Sequence, residues 1–126
     1  MFNNFFSSML YVKIYKNKIV IKNLSDNLSA QMFTPDTSFT TSRLLVGTFA
    51  PAVQCLKQAI KSSKSTSWLG ASPCLLIQPM EMNEGGLSEI EDRVFRELGL
   101  GAGARKVVLW VGAELSNEKA IEKITR

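Results

Sequence analysis

Histidine is absent from the 126 residues, which removes the commonest general base near neutral pH and the commonest metal ligand. Cysteine is scarce: only Cys55 and Cys74 occur. They fall in a helix pattern and a strand pattern, and without a secretory leader they read as two reduced core thiols, a disulfide being the alternative. No apolar run approaches the ~20 residues that a membrane span needs. The first ten residues lack the basic start and long apolar core of a secretory signal. The expected location is the cytoplasm, with peripheral contact at the inner membrane as an extension of that reading. Charge of one sign is also lacking in strength. A net +4 and a pI near 9.2 permit contact with nucleic acid or anionic lipid without demanding either.

The most sharply patterned stretch runs from Glu84 to Val111, EGGLSEIEDRVFRELGLGAGARKVVLWV. Ser88 followed by Glu91 forms a capping box, which starts a helix. Ile90, Val94, Phe95 and Leu98 share one face of it, and Glu89, Asp92, Arg93 and Arg96 the other. Gly99, Gly101 and Gly103 then end the helix and turn the chain. Val107 to Val111 reads as a strand buried on both faces, which implies a parallel sheet covered by helices.

Upstream, Leu10 to Leu24 alternates with period two and turns around Lys16 and Asn17, the pattern of a hairpin. Pairing Ile14 with Ile19 and Val12 with Ile21 puts all four on one face, whereas a slip of two would oppose Lys13 and Lys22. The other face carries Tyr11, Lys13, Tyr15, Lys18 and Lys22. Leu28 to Phe33 reads as a weaker third strand. Thr34 to Gly47 is a connection with Pro35 and Asp36 as a turn and Leu44 to Val46 as an apolar anchor. A helix capped by Thr48 follows, with Phe49, Val53, Leu56 and Ile60 inward. After a serine-rich loop, Cys74 to Ile77 forms a short apolar strand, and Ser116 caps a last helix with Ala120, Ile121 and Ile124 inward.

The element order is βββαβαβα. It predicts a mixed α+β domain over residues 10–126 whose five-stranded sheet runs 3-2-1-4-5, the arrangement of ribonuclease H and of the actin-like ATPase lobe. Two right-handed crossovers in the same direction place their helices on one face of the sheet. Residues 1–9 form an arm, either frayed or packed, or an interfacial or partner anchor in which Phe2, Phe5, Phe6 and Met9 share a helical face.

Pro73 to Leu109, and LGAGAR at 100–105 above all, resembles a segment of the bacterial actin-like, rod shape-determining MreB family. In that family a strand ending in proline leads through a glycine and a threonine or serine to an acidic-basic helix, the run ALGAGAR and a strand. FFSSMLYVKI from Phe5 is similar to the family's opening MFSNDLAIDLG, and RLLVG at 43–47 is faintly like KVLAVG. The resemblance implies a ribonuclease H-like, actin-like fold and a nucleotide site in the intact family. It also shows what has been replaced. The family's first hairpin carries Asp-Leu-Gly-Thr, an aspartate for the nucleotide's metal and amides for its phosphates, where this chain has Lys13, Tyr15 and Lys16. Where the family places Glu-Glu-Pro, with a carboxylate for the attacking water, this chain has Val111, Gly112 and Ala113.

Other motifs are weaker. Gly99, Gly101 and Gly103 follow a helix and precede a strand, the reverse of a dinucleotide loop. Glu89, Glu91 and Asp92 suit the helix dipole as a solvated face. The sequence therefore predicts no enzyme, no catalytic, cofactor-binding or metal residues and no cofactor. It predicts a pseudo-ATPase acting through a protein partner or self-association, with a link to the bacterial cytoskeleton or cell shape implied by the resemblance. The alternative is a nucleic-acid module in which Tyr11 and Tyr15 stack on bases while Lys13, Lys18 and Lys22 meet phosphates. Residual nucleotide binding is a minor third reading.

Overall fold

The computed structural model describes residues 8–26, 29–63 and 72–126. Its elements are β1 (Met9–Tyr15), β2 (Lys18–Asn23), β3 (Gln31–Phe33), α1 (Phe49–Ser62), β4 (Cys74–Pro79), α2 (Glu89–Gly101), β5 (Lys106–Leu109) and α3 (Asn117–Thr125). The five strands make one mixed sheet in the order β3-β2-β1-β4-β5, as the element order predicts. β1 is central, antiparallel to β2 and parallel to β4.

The hairpin register follows the apolar alternation. Val12 faces Ile21 and Ile14 faces Ile19 across the β1–β2 ladder, and all four are fully buried. A slip of one would have turned these side chains toward the opposite face. They join Leu75 and Ile77 of β4, Leu56 and Ile60 of α1, and Phe95 and Leu98 of α2 in the larger core. α1 and α2 therefore lie on one face of the sheet. α3 covers part of the other, where Ala120 and Ile124 pack with Tyr11, Leu24, Cys74 and Leu76.

Several expected faces are rotated. On α1 the buried residues are Ala52, Cys55, Leu56, Ala59 and Ile60, while Phe49 is 42% exposed. The small residues Ala52 and Ala59 let the helix approach the sheet, which turns Phe49 outward. Thr48 sits at the N-cap of α1 without a side-chain cap bond. On α2 the capping box forms as expected, with Ser88 Oγ accepting from Glu91 N at 3.2 Å and Glu91 Oε1 accepting from Ser88 N at 2.9 Å. Ile90, however, is 75% exposed.

Gly99 does not end the helix. It is buried within α2, where an added Cβ would lie 2.5 Å from Val107 Cγ2 and 3.1 Å from Ile77 Cδ1, so its role is close helix–sheet approach. The reversal falls at Gly103, with φ of +111°, and Ala104 N donates back to Gly99 O at 3.0 Å. β5 also differs from the expectation of a strand buried on both faces. It is an edge strand, half-buried along its length, and the strand buried at every position is β4.

The connection between β3 and α1 is held by a residue that periodicity does not flag. Phe39 is completely buried, and Asn17 Oδ1 accepts from Phe39 N at 2.8 Å and Thr40 N at 3.0 Å. Asn17 takes a positive φ of 50°, which asparagine tolerates better than most residues. Leu45 and Val46 are buried as the apolar anchor predicts; Leu44 is exposed.

Candidate functional site

In open α/β sheets, ligands bind beyond the carboxyl ends of the parallel strands. Here that region is formed by the ends of β1, β4 and β5 and by residues 110–115. The alternation of β1 sends Tyr11, Lys13 and Tyr15 to the face opposite α1 and α2, and the parallel register sets Lys13 beside Gln78.

These side chains are engaged with one another. Gln78 is fully buried. Its Oε1 accepts from the Tyr11 hydroxyl, and its Nε2 donates to Gly112 O at 2.8 Å. Leu115 N donates to the Tyr11 oxygen at 3.0 Å. Lys13 Nζ pairs with Glu114 Oε2 at 2.8 Å, and Trp110 Nε1 donates to Ala113 O at 2.9 Å. On the β1–β2 turn, Lys16 N donates to Glu81 Oε2 at 2.8 Å. Burial of the Tyr11 ring raises its pKa above 10.0, a shift that the Leu115 N–H and Lys13 oppose without reversing. The strand ends are thus closed by a polar network that is internally satisfied; among the described residues no buried side-chain nitrogen or oxygen lacks a partner.

The residues proposed from sequence are not brought together as one open surface. Tyr11 is only 3% exposed, because α3 packs on it, so it cannot stack on a base. Lys13 is 16% exposed in its side chain and ion-paired. Tyr15, Lys18 and Lys22 are half-buried, and Lys18 Nζ lies 4.4 Å from the centre of the Tyr15 ring, a cation–π contact. Phe2, Phe5 and Phe6 lie outside the described residues. Met9 belongs to β1 and packs at the α3 side of the sheet, not on a helix, because its backbone is drawn into the parallel ladder with Cys74. Cys55 and Cys74 are both free and buried. Val111, Gly112 and Ala113 stand on the loop after β5, where Gly112 contributes its carbonyl to the network.

A second region was not flagged in the sequence. A groove of about 610 Å³ separates β3 and the segment after it from α1. Phe33, Thr34 and Asp36 line one side; Pro51, Gln54 and Gln58 line the other, with Cys55 between. Burial pushes the Cys55 thiol pKa up, and the Asp36 carboxylate adds to that shift, so this thiol is held in its unreactive neutral form. The signal available in sequence was the spacing of Ala50, Gln54 and Gln58 on one helix face; what it faced was not readable.

Among the described residues no helix is long and apolar enough to cross a membrane, and no group of three or more acidic or cysteine side chains is placed to hold a metal ion. No family model matches the chain, and no solved structure matches it. The uncharacterized protein YjaA of Escherichia coli (strain K12) is 31% identical over 104 residues, covering 79% of this chain and 80% of that protein. Identity of that extent, spread over most of both chains, places this protein in the same family as YjaA.

Proposed function

We propose that this chain is a non-catalytic interaction module on a ribonuclease H-like, actin-like lobe of MreB-like descent, acting on a protein partner in the cytoplasm. The observation that carries the reading is the closed network at the strand ends. Lys13 and Gln78, side by side in the parallel register, are committed to Glu114 and to Tyr11 and Gly112. A nucleotide phosphate entering there would have to break a buried hydrogen-bond network, and each polar group stranded costs about 1–3 kcal/mol. A link to the cytoskeleton or cell shape follows from the MreB resemblance alone, by fold-level analogy.

Isothermal titration with ATP and magnesium tests this reading, and no saturable heat is expected. Saturable heat would overturn it, and hydrolysis of the bound nucleotide would make the chain an enzyme. The nucleic-acid alternative has lost its stacking platform at Tyr11, but Lys18 and Lys22 remain on the sheet face beside β3. A gel shift with single strands at low salt, abolished by Lys18→Ala with Lys22→Ala, would put that alternative first.

A further inference from the structure

The groove between β3 and α1 has two walls of different kinds. One is a sheet edge: β3 is the last strand of the sheet and is paired only with β2 among the described residues. An edge strand offers a row of backbone donors and acceptors to any extended chain laid beside it. The other wall is one face of α1, where Ala50, Gln54 and Gln58 stand at helical spacing of four. From Ala50 to Gln58 the helix rises about 12 Å, the length of about four residues of extended chain. Pro35, with no N–H to give, confines pairing to the Gln31–Thr34 end of this wall.

We infer that this groove takes an extended peptide segment as an added strand beside β3, with a lysine or arginine of that segment facing Asp36. The inference rests on the interaction-module reading and names its surface and the chemistry of the partner. Strand addition draws affinity from main-chain hydrogen bonds and selectivity from the alternate side chains. The alternate side chains here would meet Gln54, Gln58 and Thr34, which are neutral, and Asp36, which is the one ionisable group besides Cys55 that lines the groove. Asp36 and Cys55 line the same groove, and the carboxylate adds to the upward shift of the thiol that burial begins. The chain's net charge of +4 favours acidic partners at long range. Within a Debye length of about 8 Å the local carboxylate decides, and it selects a cation.

The test is a nitrogen-15 amide spectrum of the full chain titrated with a capped seven-residue peptide of alternating threonine and valine bearing a central lysine. A second peptide carries glutamate at the centre. The expected result is shifts confined to Gln31–Thr37 and Ala50–Gln58, with the glutamate peptide about two- to fivefold weaker, the range for one exposed ion pair. Asp36→Asn, a change at an exposed position, should remove the difference between the peptides. Equal binding of the two peptides by the unaltered chain overturns the choice of a cation. Shifts elsewhere, or none at millimolar peptide, overturn the groove as the site. Neither result touches the ATP titration, so failure here is distinct from failure of the interaction-module reading.

Discussion

The carboxyl ends of the parallel strands and the β3 edge of this sheet solve opposite problems. At the carboxyl ends of β1, β4 and β5, polar side chains are buried and spend their hydrogen bonds on each other. In the groove between β3 and α1, polar side chains line open space, and among the described residues no strand pairs with the outer edge of β3. The first region is where α/β sheets generally bind small ligands, and here its polar groups are bonded to one another. The second has no such precedent from topology, and it is the one with room. A region whose polar groups are bonded to one another and a groove whose lining stands open differ in what they offer a partner, so exposure rather than position in the fold directs the search for function in this chain.

Substitutions can break that comparison. Gln78→Leu should have the largest effect, about 2 kcal/mol of lost stability, because it leaves the Gly112 carbonyl and the Tyr11 hydroxyl without their buried partner. A loss under about 0.5 kcal/mol by urea unfolding would mean that the network does not hold the strand ends closed. Tyr11→Phe should cost about 1 kcal/mol and alter the alkaline limb. The Tyr11 pKa is raised in the folded protein, so its contribution is fully present below its unfolded value of 10.0 and is lost as pH rises through the higher folded value. Between pH 10.0 and that higher value stability should therefore fall less steeply in the phenylalanine variant; an unchanged slope would show that another group titrates.

Lys13→Ala should cost less, about 0.5 kcal/mol, since Glu114 is more than half exposed and can be solvated. Thermal unfolding at low and high salt measures it, and a salt-independent loss would point to packing of the lysine stem instead. Asp36→Asn should move stability by no more than about 0.5 kcal/mol in either direction while changing peptide discrimination. A large loss would place Asp36 in the structural half of the comparison. One further variant sharpens the scaffold itself: Gly99→Ala forces a methyl against Val107 and should destabilise despite alanine's better helix propensity, because overpacking costs about 1–3 kcal/mol against a gain of ~1 kcal/mol.

The hairpin register and the strand order were legible because they follow from local alternation and from the chirality of crossovers. Val12, Ile14, Ile19 and Ile21 could pair on one face in only one register without opposing lysines. The capping box at Ser88 and Glu91 was legible because it is closed within four residues. Tyr11 is not distinguishable by pattern, because it alternates with Lys13 and Tyr15 in the manner of a solvated face, and only the docking of α3, more than a hundred residues away, sets it apart from them. Phe39 was missed because it stands in a connection without periodicity, and its partner Asn17 is remote in sequence. Gly99 was misassigned because a glycine at a helix end and a glycine at a helix–sheet contact look alike until the neighbouring strand is in place.

Local pattern and handedness were enough to locate the strands and helices, the pairing of the hairpin and the order of the sheet, since each of these depends on neighbours within a few residues or on the chirality of the crossovers. Which polar residues are buried, which face α3 covers and where a groove stands open become visible once the elements are packed. Burial is a property of what packs on a residue, and that neighbour is fixed by the whole chain.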